Sequence, residues 1–176
     1  MSTPAPIEVI LDTSVLVNFL AVDRVDLLHR LKRYRFVITA HVRGEVTYPE
    51  QAARLTAAIR AGHLHELSSG THVELAAFAQ LTATLGVGES AAIAAAQHRS
   101  MVVAVEDRTA RRTAESLVGK KNVLTTTDLM VGIIQGGLLT VAEADAIKLD
   151  WATNHRFVLS QFQTFGEILP PSSSTP

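Results

Sequence analysis

Short apolar segments rich in β-branched residues alternate along this chain with segments whose apolar residues have helical spacing. The predicted helices begin near residue 13 and continue around residues 25–31, 42–48, 52–61, 73–85, 89–98, 111–117, 129–134 and 141–150. The predicted strands are residues 7–11, 36–38, 65–67, 101–105 and 123–124. Strands separated in this way by helices predict an α/β fold with a largely parallel sheet.

Length and composition favour a single ordered domain. Domains commonly contain about 100 to 200 residues, and this chain has 176, of which 47% are hydrophobic and 19% charged. We predict a disordered N-terminus at residues 1–6, one domain at 7–165 and a disordered tail rich in proline and serine at 166–176. Residues 140–165 form an additional helical region of this domain, in which the last helix continues near residues 151–162.

The chain contains no cysteine, which limits its chemistry. A disulfide framework, a zinc or iron–sulfur site with thiolate ligands and a cysteine nucleophile are excluded. Any metal ion would therefore be bound by oxygen or imidazole. Apolar runs such as residues 91–96 are much shorter than a membrane span of roughly 20 residues, and no signal peptide is evident. We expect a soluble cytoplasmic protein without a membrane partner.

The overall charge argues against general binding to polyanions. Sixteen Lys and Arg residues against 17 Asp and Glu residues give a net charge of -1, so only local patches would hold nucleic acid. Basic residues cluster at 24–35 and again at 108–121. In the second cluster, Arg108, Arg111 and Arg112 either contact RNA phosphates or only keep a helix face solvated, and the sequence leaves both interpretations open.

Carboxylates stand at or near the ends of two predicted strands. Asp12 directly follows the first strand, and the pair Glu106 and Asp107 follows the fourth. Glu45 lies in the helix after the second strand, and Glu89 begins the helix before the fourth. Because functional residues gather at the carboxyl edge of an open parallel sheet, these acids are candidates for one site.

Each of these acids also has a purely structural interpretation. Asp12 and Asp107 suit the N-cap of a helix, and Glu89 in a first helical turn is favoured by the helix dipole. Glu45 alone suits a solvated helix face. The functional interpretation therefore depends on the whole pattern.

A cluster of carboxylates needs a compensating positive charge, because like charges raise one another's pKa values. Mg²⁺ and Mn²⁺ prefer oxygen ligands, and Mg²⁺ is typically held by one or two carboxylates together with phosphate oxygens of a substrate. A cluster of carboxylates in a chain that has no cysteine therefore suggests Mg²⁺ or Mn²⁺ chemistry on a phosphodiester. His63 and His65 do not have the spacing of a zinc motif, and we interpret them as surface residues.

Four segments in order resemble the successive acidic motifs of the PIN domain. They are residues 11–14 (LDTS), 42–46 (VRGEV), 88–94 (GESAAIA) and 105–111 (VEDRTAR). The resemblance spans about residues 9–139 and is closest to the compact prokaryotic PIN proteins that include the VapC-type toxins. It implies a three-layer α/β/α fold with a mainly parallel central sheet, and a metal-dependent ribonuclease activity.

The resemblance also implies roles for individual residues. The catalytic and metal-binding residues that it implies are Asp12, Glu45, Glu89 and Asp107, which would hold one or two Mg²⁺ or Mn²⁺ ions. The expected supporting residues are Thr13 and Ser14, which would orient Asp12 or a metal-bound water, together with Glu106, Thr126 and Asp128. Three positions depart from the family pattern: the third acid is a glutamate, the later pair is Glu106 and Asp107 so that either is the ligand, and Asp128 is either a fifth ligand or a helix cap.

The sequence therefore favours a divalent-metal-dependent endoribonuclease, in one form the toxin of a toxin–antitoxin pair. The expected partners are an RNA substrate, an antitoxin protein and a second copy of the chain, for which apolar residues within 15–31 are either an interface or core. One alternative is a catalytically inactive PIN-fold module that binds RNA or protein. A phosphohydrolase with an aspartyl nucleophile ranks last, because Ser14 stands where that chemistry usually has a second acid.

Overall fold

The computed structural model describes residues 5–169, in which a parallel β-sheet carries helices on both faces. The strands are β1 (Ile7–Leu11), β2 (Tyr34–Ile38), β3 (His65–Glu66), β4 (Val102–Ala104) and β5 (Val123–Leu124). They lie in the order β3-β2-β1-β4-β5, and every neighbouring pair is parallel. The predicted α/β/α fold with a mainly parallel sheet is confirmed.

Between and after the strands, the described part of the chain forms nine α-helices. In chain order they are α1 (Thr13–Ala21), α2 (Val25–Arg30), α3 (Ala40–Glu45), α4 (Pro49–Arg60), α5 (His72–Leu81), α6 (Val87–Arg99), α7 (Arg108–Val118), α8 (Thr126–Gln135) and α9 (Val141–Asn154). Most of them begin earlier than predicted; α7, for example, begins after its cap Asp107, and α8 begins after its cap Thr125.

Alternate residues of the central strand enter two separate cores. Val9 and Leu11 of β1 face a larger core formed with α1, α2, α4, α8 and α9, whereas Ile10 faces a smaller core formed mainly with α6 and α7. All three side chains are completely buried, as the period of two in a strand covered on both faces requires. Most apolar residues of α1 and α2 are also buried, Leu16 and Leu28 completely, which supports the interpretation of these residues as core.

The C-terminal region packs onto the larger core. Trp151 of α9 is completely buried, and its indole N–H donates to the Asn18 carbonyl at 2.7 Å. The helix ends at Asn154, so the predicted helical continuation near residues 151–162 is wrong beyond that residue. A short 3-10 turn at Phe165–Glu167 follows, with Phe165 completely buried.

The predicted ends of the domain lie partly outside the described residues. The 3-10 turn extends regular structure just past the predicted domain end at residue 165. Residues 1–4 of the predicted disordered N-terminus and residues 170–176 of the predicted tail are outside the described range, and disorder there stays a prediction. No helix among residues 5–169 has the length and apolar character needed to cross a membrane.

The strand order creates a crevice at one edge of the sheet. The chain runs from β1 outward to β2 and β3, and then returns to the opposite side of β1 as β4. The direction of winding therefore changes between β1 and β4, and the loops after these two strands separate there. Asp12 directly follows β1, and Glu106 follows β4 by two residues. The topology thus brings these two acids to the same place.

Candidate functional site

Asp12 lies in the crevice as an enclosed carboxylate. Its N–H donates to the Ala104 carbonyl at 3.0 Å, which ties the end of β1 to β4. Its Oδ1 accepts from the Val15 N–H at 2.7 Å and caps α1, while its Oδ2 accepts from the Glu106 N–H at 3.4 Å. The side chain is completely buried. The capping interpretation of Asp12 is therefore correct, but it accounts for only one of the two carboxylate oxygens.

The surroundings of Asp12 disfavour its charged form. Burial raises the pKa of Asp12 from its ordinary 3.8 to about 7, and the negative charges of Glu89 and Glu106 also act to raise it. The hydrogen bonds from the Val15 and Glu106 N–H groups oppose this increase. Glu89 and Glu106 are therefore close enough for their charges to act on the Asp12 carboxylate.

Glu45, the last residue of α3, is held by donors from two other helices. The Thr13 hydroxyl of α1 donates to its Oε2, and the Gly88 N–H of α6 donates to its Oε1 at 3.0 Å. A Cβ added at Gly88 would meet the Glu45 carboxylate and the Thr13 hydroxyl, so the contact depends on a glycine at this position. The exposed carboxylate of Glu45 is thereby fixed at the N-terminal end of α6, close in the chain to Glu89.

Glu89 lies in the first turn of α6 with a half-buried side chain. Its Oε2 accepts from the Gly86 N–H at 3.1 Å and so completes the N-terminal turn of the helix. The next residue, Ser90, is completely buried, and its hydroxyl has no hydrogen-bond partner within the described part of the chain. The Glu89 carboxylate therefore caps the end of the helix, and its charge also acts on Asp12.

Glu106 and Asp107 have different positions, although they are neighbours in the chain. The N–H of Glu106 donates to Asp12, and its Oε2 accepts from the Thr126 N–H at 3.0 Å. Asp107 is exposed, and its Oδ1 accepts from the Thr109 and Ala110 N–H groups at 2.7 and 2.9 Å, which caps α7. Of the two, Glu106 is the one whose charge acts on Asp12.

The two hydroxyl residues after Asp12 do not orient its carboxylate. Thr13 donates its hydroxyl to Glu45, so the expectation that it orients Asp12 is wrong and its observed role is to position Glu45. The Ser14 side chain is exposed and makes no hydrogen bond within residues 5–169. A role for Ser14 toward a metal-bound water stays a prediction.

The start of α8, which follows β5 closely in the chain, contacts Glu106. Thr126 is completely buried; its N–H donates to Glu106, and its Oγ1 accepts from the Asn18 side chain at 3.0 Å. Asp128 accepts both the N–H and the hydroxyl of Thr125 at 2.8 Å. These bonds give Thr126 a supporting contact to Glu106, and they agree with the interpretation of Asp128 as a helix cap.

The three candidate RNA contacts lie on α7. Arg108 and Arg112 are exposed and Arg111 is half-buried. None of the three makes an ion pair or a side-chain hydrogen bond within residues 5–169, which leaves their guanidinium groups available. Arg111 also borders a groove of about 580 Å³ that Glu106 lines. The choice between phosphate contacts and a solvated helix face stays open for all three arginines.

The donor set fits Mg²⁺ or Mn²⁺ better than a softer ion, because every side chain that acts on Asp12 carries oxygen ligands. The enclosed, electrostatically disfavoured carboxylate of Asp12 is itself consistent with a nearby cation. Within the described residues, however, no three His, Asp or Glu side chains are arranged as a metal-binding group. The carboxylates instead accept hydrogen bonds from N–H and O–H groups, and the four predicted ligands are not gathered in one group.

Two supporting residues were not predicted from the sequence. The Gly88 N–H binds Glu45, and the Asn18 side chain binds Thr126. Gly88 lies inside a segment that carries the PIN-domain resemblance, so the motif contained a signal for it. Asn18 had none, because an asparagine inside a helix carries no mark of a partner 108 residues away.

Comparison with known proteins agrees with this fold. The model of a PIN-domain family, DUF3368, matches residues 8–144, which is more than three quarters of the chain. No curated protein and no solved structure shows significant similarity to the chain. PIN domains are generally nucleases and typically use divalent metal ions. From the extent of the match, together with the parallel sheet and the acids at its switch point, we conclude that the chain belongs to the PIN-domain family.

Proposed function

We propose that this protein is an endoribonuclease that hydrolyses RNA phosphodiester bonds with Mg²⁺ or Mn²⁺. The observation that carries the proposal is the environment of Asp12, a completely buried carboxylate whose pKa is raised to about 7 and on which the charges of Glu89 and Glu106 act. A divalent cation beside it would offset both the burial and the repulsion. Membership of a family of nucleases supports a phosphodiester as the bond that is broken.

The acids are assigned to the metal according to their contacts. Asp12 would be the central ligand, and Glu89 of α6 and Glu106 of the loop after β4, whose charges act on it, would also hold the ion. Glu106 is preferred over Asp107 because both an N–H bond and its charge link it to Asp12, whereas Asp107 caps α7. Glu45, which Thr13 and Gly88 hold in place, would be a further ligand.

The chemistry divides between the ion and the chain. When bound, Mg²⁺ or Mn²⁺ supplies a water of lowered pKa and positive charge for the phosphate oxygens. The chain orients the carboxylates through backbone donors, such as the Val15 N–H on Asp12 and the Gly88 N–H on Glu45. Because Asp12 is buried, bulk water is excluded from one side of the site, which strengthens each electrostatic contact there. The nucleophile in this proposal is water.

Cleavage of RNA tests the proposal directly. A pool of single-stranded and structured RNA is incubated with Mn²⁺, with Mg²⁺ and with EDTA, using the wild type and Asp12→Asn, Glu106→Gln and Asp107→Asn. We expect cleavage that requires the metal ion, that disappears in Asp12→Asn and Glu106→Gln, and that is reduced less in Asp107→Asn. The matched control is Asp26→Asn, which changes a half-buried aspartate in an ion pair on α2, away from the acids of the site, and should leave cleavage unchanged.

A second candidate function is a PIN-fold module that binds RNA or protein without cleaving it. The observation that favours it is the absence, within residues 5–169, of three side chains already arranged as a metal-binding group. The same assay separates the two candidates. A wild-type protein that binds RNA but leaves it intact in both metal ions would establish the binding module.

We propose further that the nuclease is the toxin of a toxin–antitoxin pair, which is supported by the resemblance of its acidic segments to those of VapC-type toxins. Induced expression of the chain alone should then arrest growth of a bacterial host, and Asp12→Asn at the same expression level should not. The role would be contradicted if the host grows normally while it expresses enough wild-type protein to degrade RNA in a cell extract.

A further inference from the structure

A groove of about 620 Å³ extends from Glu45 along the start of α4. Residues of α1, the α3–α4 loop, α4 and the end of α9 line it, among them Asn18, Glu45, Tyr48, Gln51, His155 and Arg156. We propose that this groove binds an unpaired RNA nucleotide next to the bond that is cleaved, with the base stacked on Tyr48 and a phosphate on Arg156. The inference rests on the proposed ribonuclease function.

Tyr48 has the position and the exposure of a stacking platform. It follows Glu45 by three residues, and its side chain is 74% exposed. It makes no aromatic contact with another described residue. Pro49 follows it at the start of α4, and Tyr48 has an extended backbone, with φ of -65° and ψ of 121°, as a residue before proline prefers. The ring is thus presented from a restricted backbone beside a proposed metal ligand.

Arg156 occupies a backbone position that normally favours glycine. It comes just after the end of α9 and has φ of +56°, a left-handed conformation that non-glycine residues rarely adopt. The N–H groups of its two neighbours, His155 and Phe157, both donate to the Trp151 carbonyl, at 3.0 and 3.1 Å. The buried Trp151 therefore anchors this turn and fixes where the arginine begins.

The other basic side chains of the groove already have partners. Arg54 donates to the Leu20 and Ala21 carbonyls and pairs with Glu50 at 2.6 Å. His155 lies 3.7 Å from a carboxylate oxygen of Asp150.

Arg156, in contrast, is exposed and makes no ion pair or side-chain hydrogen bond within the described residues. It is therefore the groove's available guanidinium for an anionic ligand. A phosphate there would lie on the same groove as Glu45.

The chemistry of the groove favours an unpaired nucleotide over a base pair. Aromatic stacking and contact with a phosphate are the two interactions by which proteins hold single-stranded nucleic acid. The bases of a duplex have no free face for Tyr48. The volume of about 620 Å³ is within the range of sites that enclose a small ligand, so one nucleotide can enter while its neighbour lies over the acids.

Binding and cleavage are measured separately. The binding probe is an unstructured RNA of eight nucleotides that carries 2-aminopurine, whose emission depends on what the base stacks on. It is titrated in Mg²⁺ into an Asp12→Asn chain, in which we expect no cleavage, and into the same chain with Tyr48→Ala, Tyr48→Phe, Arg156→Gly or Arg60→Ala added. Arg60 is the matched control, because it is exposed at the far end of α4, about 15 Å along the helix from Glu50.

We expect Tyr48→Ala to weaken binding roughly 5- to 150-fold and to remove the stacking signal, and Tyr48→Phe to keep both. Arg156→Gly should weaken binding and lower the slope of log K against log salt by about 0.7, the value of one phosphate contact on a single strand. Its melting temperature should be unchanged or higher, because glycine relieves the left-handed backbone. Arg60→Ala should bind like its parent.

The outcomes separate this inference from the proposed function. If the wild type cleaves RNA in Mn²⁺ but Tyr48→Ala and Arg156→Gly bind the probe like their parent, the groove is not the nucleotide site and the nuclease function stands. If the wild type neither cleaves RNA nor binds the probe, the proposed function fails and the inference fails with it. If Arg156→Gly alone binds normally, the phosphate contact is overturned.

Discussion

Replacing Asp12 by asparagine should stabilise the metal-free protein, and the gain should increase with pH. Asp12 is completely buried, and burial raises its pKa from 3.8 to about 7. The folded state therefore holds this proton more tightly than the unfolded state. The stability that Asp12 contributes is fully present below pH 3.8 and is lost as the pH rises through 7. At 1.36 kcal/mol for each pKa unit, the full loss is about 4 kcal/mol.

Asparagine has nearly the shape of aspartate and does not ionise. Its Oδ1 can still accept the Val15 N–H, which lies 2.7 Å from Asp12, while the longer contact of 3.4 Å from the Glu106 N–H is lost. That loss is the same at every pH, so it does not change the slope. From the linkage relation, we expect the free energy of unfolding of the variant to rise by about 2.5 kcal/mol relative to wild type between pH 5 and pH 8.

Urea unfolding followed by circular dichroism in EDTA at pH 5, 6, 7 and 8 measures this difference. Asp26→Asn, at a half-buried ion pair, serves as the control and should follow the wild-type profile. A constant offset between Asp12→Asn and wild type across this range would refute the reasoning, because it would mean that Asp12 ionises in the folded protein as it does in the unfolded chain.

Four further results are expected. Gly88→Ala should reduce RNA cleavage at least tenfold while the protein stays folded, because the new Cβ displaces the Glu45 carboxylate. Gly44→Ala is the control and should keep its activity, because no atom lies within 4 Å of the new Cβ. Equal cleavage by the two variants would refute this. Asp107→Ala should lower the free energy of unfolding by about 1 kcal/mol through loss of the α7 cap, and Asp107→Asn should lower it much less, as urea titrations would reveal. Ser90→Ala should raise the free energy of unfolding by about 1 kcal/mol by removing an unpaired buried hydroxyl, and a loss of stability would disclose a partner for it. Mn²⁺ at roughly a hundredfold excess over its dissociation constant should stabilise the wild type by about 2.7 kcal/mol, and a thermal scan of Asp12→Asn should give a much smaller effect.

The fold was predictable because its signals are local. The β-branched segment before Asp12 and the apolar run at residues 101–105 both become strands of the sheet, although the second is shorter than predicted. Helix ends were less predictable. The helix after residue 141 ends at Asn154 because the chain turns around the buried Trp151, and nothing in the local sequence carries that packing.

The sequence predicted that acids would lie at this edge of the sheet, but it did not predict which contacts each of them makes. The sequence placed Asp12 and the Glu106 and Asp107 pair after strands, and it left open which member of the pair faces Asp12. That choice depends on how the loop after β4 turns, which decides that Asp107 caps α7 while Glu106 approaches Asp12. An aspartate is suited both to cap a helix and to bind a metal ion, so its position in the sequence alone does not show which of the two roles it has.

The sequence by itself determined the alternation of strands and helices, the supply of oxygen ligands and the exclusion of thiolate chemistry. Tertiary structure decided what depends on distant residues meeting: the burial that raises the pKa of Asp12, the approach of Gly88 to Glu45 across 43 residues, and the groove shared by Tyr48 and Arg156. The physical reason is that helix and strand preferences act between near neighbours in the chain, whereas desolvation and charge interactions depend on distance in space.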